Sequence, residues 1–306
     1  MIPLLSLLPA AACFSPPPLL TGEAPAVDPR PESVRFVAVG DVGKSNPDQR
    51  AVASTIDRAC AGECDFAVLL GDNLYPRGMA HDTDERMDEV LAPFVELDLP
   101  LYLALGNHDY GHGRDHAAAA AQIRWAASHE AVHLAGHAYA FDAGPARLWA
   151  VDSTRVFWYG HRPQSEWLSA ELDAYPDRVR IVFGHHTMRS NGRHGNAGEY
   201  EGWRRVPWMS GRPLARLFDQ AVCGRADLYL SGHDHNLQLL DHCGTTLIVS
   251  GSGASTQPLE DRGNSPQFAA AEAGFALVEV HDALNVEFWT VRGGRVHRAT
   301  RPLPAR

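Results

Sequence analysis

The sequence predicts an α/β fold on three observations. Short apolar runs rich in β-branched and aromatic residues alternate with segments whose apolar positions recur every three or four residues. Toward the C-terminus, strand-like runs follow one another with turns and little helix between them. Several runs stop at a Gly followed at once by Asp, Asn or His.

The first run, 34–39, leads through a polar turn to a helical face of Val52, Thr55, Ile56 and Ala59. Runs 66–70 and 101–105 bracket a second face, Met87, Val90, Leu91 and Phe94. A third, Trp167, Leu168, Glu171, Leu172 and Tyr175, lies between runs 147–151 and 179–183. The fourth, Leu214, Leu217, Phe218 and Ala221, precedes run 226–230. Runs 237–240, 245–250, 275–280 and 286–291 then predict antiparallel strands, giving one mixed sheet or a pair. Neither a second linker nor an internal repeat interrupts the sequence, so a single domain over 34–306 is expected.

The composition is that of an ordinary folded chain: of 306 residues, 45% are hydrophobic and 21% charged, enough for a sizeable core. A net charge of -10 builds in no attraction to a polyanion, so nucleic-acid coating is not expected. The 16 histidines stand out, because neutral imidazole is the commonest metal ligand.

Residues 1–13 form an apolar run too short to cross a bilayer, which takes about 20 residues. They read as an export signal, with Cys13 behind small residues, as at a bacterial lipid-attachment site. A lipid anchor through Cys13 and a periplasmic, cell-surface or secreted location follow. No Lys or Arg precedes the run, and Ala10 stands where such sites prefer Leu; the bland alternative is a frayed hydrophobic end. The Pro-rich segment 14–33 is expected to be an extended tether. Cys60, Cys64, Cys223 and Cys243 remain, as two disulfides or four free thiols.

Sites in open α/β sheets lie beyond the carboxyl ends of strands. Here those ends carry Gly40-Asp41-Val42-Gly43, Gly71-Asp72-Asn73-Leu74-Tyr75, Gly106-Asn107-His108-Asp109, Gly184-His185-His186 and Gly232-His233-Asp234-His235-Asn236. Any one block alone is most simply a turn. Together they bring carboxylate, amide and phenol oxygens and imidazole nitrogens to one crevice, a donor set suited to first-row transition ions and without the Cys of structural zinc. Seven donors exceed one tetrahedral ion; two ions sharing a carboxylate fit, and such pairs serve in-line displacement at phosphorus.

This ordered set resembles the calcineurin-like metallophosphoesterase superfamily, in particular its purple (tartrate-resistant) acid phosphatase branch, over about 35–292, with Tyr75 the most specific residue. The resemblance implies an α/β/β/α sandwich of two packed mixed sheets. It implies ferric iron on Asp41, Asp72, Tyr75 and His235, and a divalent ion (Fe, Zn or Mn) on Asp72, Asn107, His185 and His233. His108 and His194 become outer-sphere catalytic residues, and the expected reaction is acid hydrolysis of a small phosphate monoester by a hydroxide made on the metals. Two departures, Val42 for the Trp of animal members and His186 for a frequent Tyr, remove no ligand. His186 is read as a neighbour of the ligands or as a residue that alters the substrate pocket, Asp109 as an orienter of His108 or a turn residue, and Asp152 as structural. His112, His116, His129, His133 and His137 have no motif support and are expected to be exposed. Loops 76–86, 111–135 and 187–211 are expected to line the mouth, with Arg77, Arg114, Arg189 and Arg193 as candidate phosphate contacts. The alternatives are a phosphodiesterase or nucleotide hydrolase with the same metal pair, and a non-catalytic metal-binding surface lipoprotein.

Overall fold

The structure is a computed structural model that describes residues 17–27, 32–202 and 209–303. The export signal and Cys13 lie outside the described residues. The elements run β1 (Thr21–Glu23), β2 (Val34–Val39), α1 (Pro47–Cys60), β3 (Phe66–Leu69), α2 (Glu85–Val95), β4 (Leu101–Leu103), α3 (His116–Ala126), β5 (Val132–His133), β6 (Ala138–Ala143), β7 (Ala146–Ala150), α4 (Ser153–Tyr159) and α5 (Arg162–Ala174). They continue with β8 (Val179–Phe183), α6 (Arg212–Leu217), β9 (Leu228–Ser231), β10 (Leu237–His242), β11 (Thr245–Ser250), β12 (Phe268–Ala270), β13 (Gly274–Val280), β14 (Ala283–Thr290) and β15 (Gly294–Pro302).

Two mixed sheets result, one in the order β1-β6-β7-β8-β9-β11-β10-β12 and the other β15-β14-β13-β2-β3-β4-β5. Each has a parallel run, β7-β8-β9-β11 inside the first and β2-β3-β4-β5 reaching one edge of the second. The period of two along β7 and β8 explains the layering. Leu148, Ala150, Ile181 and Phe183 enter the core shared with the other sheet, while Trp149 and Val182 face outward to Val156 of α4, Leu168 and Leu172 of α5 and Leu214 of α6. Aromatic rings seal the sheet–sheet interface: Phe141 stacks on Tyr102 at 3.7 Å and meets Phe66 edge-on at 5.5 Å. The apolar faces predicted for α1 and α2 join the same large core. Helix α1 starts where Asn46 accepts a hydrogen bond from Gln49 N and Pro47 opens the first turn.

Several expectations need correcting. Residues 17–27 do not form a free tether: β1 pairs in parallel with β6, Ala24 N donates to Ala140 O, and Glu23 makes two 2.8 Å bonds with the buried Arg147. Loop 111–135 contains α3, capped by Asp115. Of the histidines expected to be exposed, His137 is buried and accepts a hydrogen bond from Leu20 N, and His116, His129 and His133 are half-buried. Both disulfides form, Cys60–Cys64 and Cys223–Cys243. Among the described residues, no helix is long and apolar enough to cross a membrane.

Candidate metal centre

The carboxyl ends of β2, β3 and β4 in one sheet meet those of β8 and β9 in the other, and the seven expected donors converge there. Glycines permit the approach. A Cβ on Gly106 would lie 2.2 Å from Asp72 Oδ1, and one on Gly232 would lie 2.5 Å from Asp41 Oδ2. Three donor-bearing residues, Asp41 (φ 59°), Asp72 (φ 55°) and His233 (φ 68°), hold left-handed backbone conformations. That strain costs of order 1–3 kcal/mol per residue, and it concentrates where function constrains the chain.

Two groups share Asp72. In the first, the Tyr75 hydroxyl lies 3.1 Å from Asp41 Oδ1, 2.9 Å from Asp72 Oδ2 and 3.3 Å from His235 Nε2, and His235 Nε2 is 3.2 Å from Asp41 Oδ1. In the second, His185 Nε2 lies 2.9 Å from Asn107 Oδ1, 3.0 Å from His233 Nδ1 and 3.5 Å from Asp72 Oδ1. Asp41, Asp72 and His185 each offer a ligand atom within 4.8 Å of the others.

Neighbouring bonds set which ring nitrogens face inward. His185 Nδ1 donates to Leu70 O at 2.9 Å, and His235 Nδ1 pairs with Ser255 Oγ at 2.9 Å, so both Nε2 atoms turn toward the carboxylates. Asp41 Oδ2 accepts from His233 N at 2.8 Å and Asp72 Oδ1 from His108 N at 2.8 Å. Burial raises the Asp41 pKa, but the imidazoles of His235 and His185 outweigh it and hold the carboxyl below its ordinary value. Burial, followed by the Asp41 and Asp72 carboxylates, pushes the Tyr75 phenol well above its usual range. A phenol among buried carboxylates gives up its proton only if a stronger cation replaces it. The donor set fits two such ions: acceptor atoms crowd within about hydrogen-bond distance of one another, with few protons between them.

Around the donors, His108 Nδ1 lies 2.7 Å from Pro76 O and its Nε2 3.9 Å from Asp72 Oδ2. Burial lowers its pKa, partly opposed by Asp72. His194 stacks on His233 at 3.9 Å. Asp109 does not touch His108 through a hydrogen bond; its buried carboxylate accepts from Asn73 N at 3.0 Å and Gly106 N at 2.8 Å, tying the second and third strand-end loops together. His186 is buried, bonds Ser153 Oγ at 2.8 Å and lies 4.5 Å from the His233 ring. Asp152 caps α4 and accepts from the Tyr110 hydroxyl at 2.5 Å.

A cavity of about 280 Å³ opens from Asn107, His194 and His233 outward to Phe157, Trp158 and Met209. Among the described residues its walls come from 107–113, α4, His194, Tyr200, Glu201 and Met209, with His186 and His233 at its floor, and loop 76–86 takes no part. None of the four arginines lines it; Arg114 instead stacks over Trp158 at 4.4 Å. A larger hollow of about 670 Å³ lies far from the donors, among Arg180, Arg225 and Arg301. Sequence reasoning missed His112, 3.1 Å from Asn107 Nδ2, and Lys44, whose ammonium sits 4.7 Å over the Tyr75 ring. It also missed Phe157 and Trp158, which carry no local motif.

Two facing mixed sheets with this donor set at their strand ends define a metallophosphoesterase-type hydrolase. The calcineurin-like phosphoesterase family model matches residues 34–237, and the chain belongs to that family. It is 28% identical over 304 residues to purple acid phosphatase 4 of Arabidopsis thaliana, covering 88% of this chain and 84% of the relative. Among solved structures, GAP50, the anchor in the inner membrane complex of Plasmodium, superposes with a TM-score of 0.70 at 18% identity over 90% of each chain. Purple acid phosphatase PPD1 from yellow lupin seeds superposes at 0.68 and 19% identity, over 89% of this chain and 54% of its own. These two likenesses concern the fold alone.

Proposed function

We propose that the chain is an acid phosphatase of this family that hydrolyses phosphate monoesters at a binuclear metal centre. The observation that carries the reading is the pairing of Asp41, Tyr75 and His235 on one side of Asp72 with Asn107, His185 and His233 on the other. The first group, with its hard phenol and carboxylate oxygens, would hold ferric iron, and the second a divalent ion. When bound, such a pair supplies Lewis acidity toward phosphoryl oxygens and acidifies a water.

The protein's own groups do the rest. Asp72 shares its two oxygens between the groups and fixes their separation. His108, anchored through Nδ1, presents Nε2 toward charge developing on the phosphoryl oxygens. His194 donates a proton to the departing ester oxygen, and the apolar wall of Phe157 and Trp158 receives the rest of the alcohol. Both disulfides support export to an oxidising compartment, the location in which the leader and Cys13 would place the chain.

The test is hydrolysis of 4-nitrophenyl phosphate by wild type and by Asp72→Asn. Wild type should turn over and Asp72→Asn should fall by about 10³-fold or more, since one change damages both groups. A matched assay with bis(4-nitrophenyl) phosphate decides against the monoester reading if the diester is cleaved faster.

A further inference from the structure

We propose that Glu201 is a positioning residue, one whose carboxylate selects which nitrogen of His194 meets the ester oxygen; this rests on the proposed phosphatase reading. His194 is tied down at its backbone. Its N–H donates to Asp234 Oδ1 at 2.8 Å, and the next N–H, of Gly195, to Asp234 Oδ2 at 3.2 Å. Asp234 is fully buried between His233 and His235, so the donor loop itself holds the His194 loop. The ring then stacks on His233 with 25° between planes. Stacking fixes the plane of an imidazole but not which edge faces the cavity, because a half-turn about the Cβ–Cγ bond trades Nδ1 with Cδ2 and Nε2 with Cε1 and keeps the stack.

Glu201 removes that ambiguity. Its Oε1 lies 2.9 Å from His194 Nδ1, and an ionised carboxylate only accepts, so Nδ1 carries a hydrogen and Nε2 is the nitrogen left for substrate. The backbone of Glu201 is held to this task. Its N–H donates to His194 O at 2.9 Å, and it adopts a left-handed conformation at φ 52° that a non-glycine residue takes only under constraint. The constraint is the preceding Tyr200, buried, with its hydroxyl on Thr187 O and its N–H on Ser210 O. The Glu201 side chain is 44% exposed, and pairs so exposed contribute little to stability. Orientation of His194 is what this geometry accomplishes. In the reaction, the bond from phosphorus to the ester oxygen breaks with its electron pair on that oxygen, which takes the proton of Nε2, while a water oxygen bonds to phosphorus and the proton that water gives up passes to solvent, from which Nε2 is reprotonated.

Proton donation matters in proportion to the basicity of the leaving oxygen, so the test compares 4-nitrophenyl phosphate with glycerol 2-phosphate. In Glu201→Ala, kcat on the alkyl ester should fall roughly 10- to 100-fold and on the nitrophenyl ester by less than about threefold. Glu201→Gln, whose amide oxygen still accepts from Nδ1, should restore the alkyl activity to within about threefold of wild type. His194→Ala/Glu201→Ala should be no slower than His194→Ala. Equal losses on both esters, no rescue by Gln, or additive losses in the double variant would each overturn the assignment. If wild type cleaves neither ester, the phosphatase reading itself fails, and the variants are not needed to show it.

Discussion

Gly106→Ala tests whether the close meeting of strand ends is what sets the site. The new methyl carbon would sit 2.2 Å from Asp72 Oδ1 and 2.3 Å from Asp72 N. Carbon–oxygen contacts normally stop near about 3.3 Å, so the carboxylate or the 106–108 loop must withdraw by about 1 Å. Asp72 belongs to both donor groups, and a displacement of about 1 Å in catalytic geometry costs roughly 10²-fold, or about 2.7 kcal/mol of barrier. Overpacking adds about 1–3 kcal/mol of lost stability. The assay is kcat/KM on 4-nitrophenyl phosphate with metal content measured on the same preparation, and a urea melt for stability. A variant within about threefold of wild type, with its metal retained, would refute the reasoning.

Three further changes probe separate links. His108→Ala should lower kcat by about 10²- to 10³-fold with metal content unchanged, because the side chain lies beside the donors without belonging to either group; loss of metal would contradict this. Burial, then Arg155 and His116, lower the His137 pKa from 6.5 to about 4. The unfolded chain therefore takes up the proton first, and this group's stabilisation, full above pH 6.5, is lost as pH falls toward 4. At about 1.36 kcal/mol per unit the loss is roughly 3 kcal/mol, and His137→Gln should flatten that part of the pH–stability curve; an unchanged slope in urea melts between pH 7 and 4.5 would contradict it. Phe141→Ala, at the meeting of the two sheets, should destabilise by about 3–5 kcal/mol; an unfolding midpoint matching wild type would remove that ring from the core account.

The sequence carries the site more openly than the fold. Each of the seven donors lies in the loop that follows a buried strand, so local pattern marks it, and Gly opens the blocks because the loops meet within a methyl group of one another. The residues that complete the site come from elsewhere in the chain: Ser255 behind His235, Glu201 behind His194, and Phe157 and Trp158 on the short helix α4. No spacing rule connects them to their partners. Among the elements, β6 reads Ala138-Tyr139-Ala140-Phe141-Asp142-Ala143, and its alanines hide a strand whose two faces are both covered. Strand β15 is arginine-rich and half-exposed at a sheet edge, where no apolar alternation is required. The Pro-rich start of the chain looks unpaired until β6 offers it an edge.

Metal stoichiometry is the most direct measurement. Elemental analysis of purified wild type beside Asp72→Asn should find two ions per chain in the first and a loss at both positions in the second, with a visible band in wild type if Tyr75 binds ferric iron. Wild type that hydrolyses phosphate esters with no bound metal, or an Asp72→Asn protein that keeps both ions, would contradict the shared-carboxylate centre.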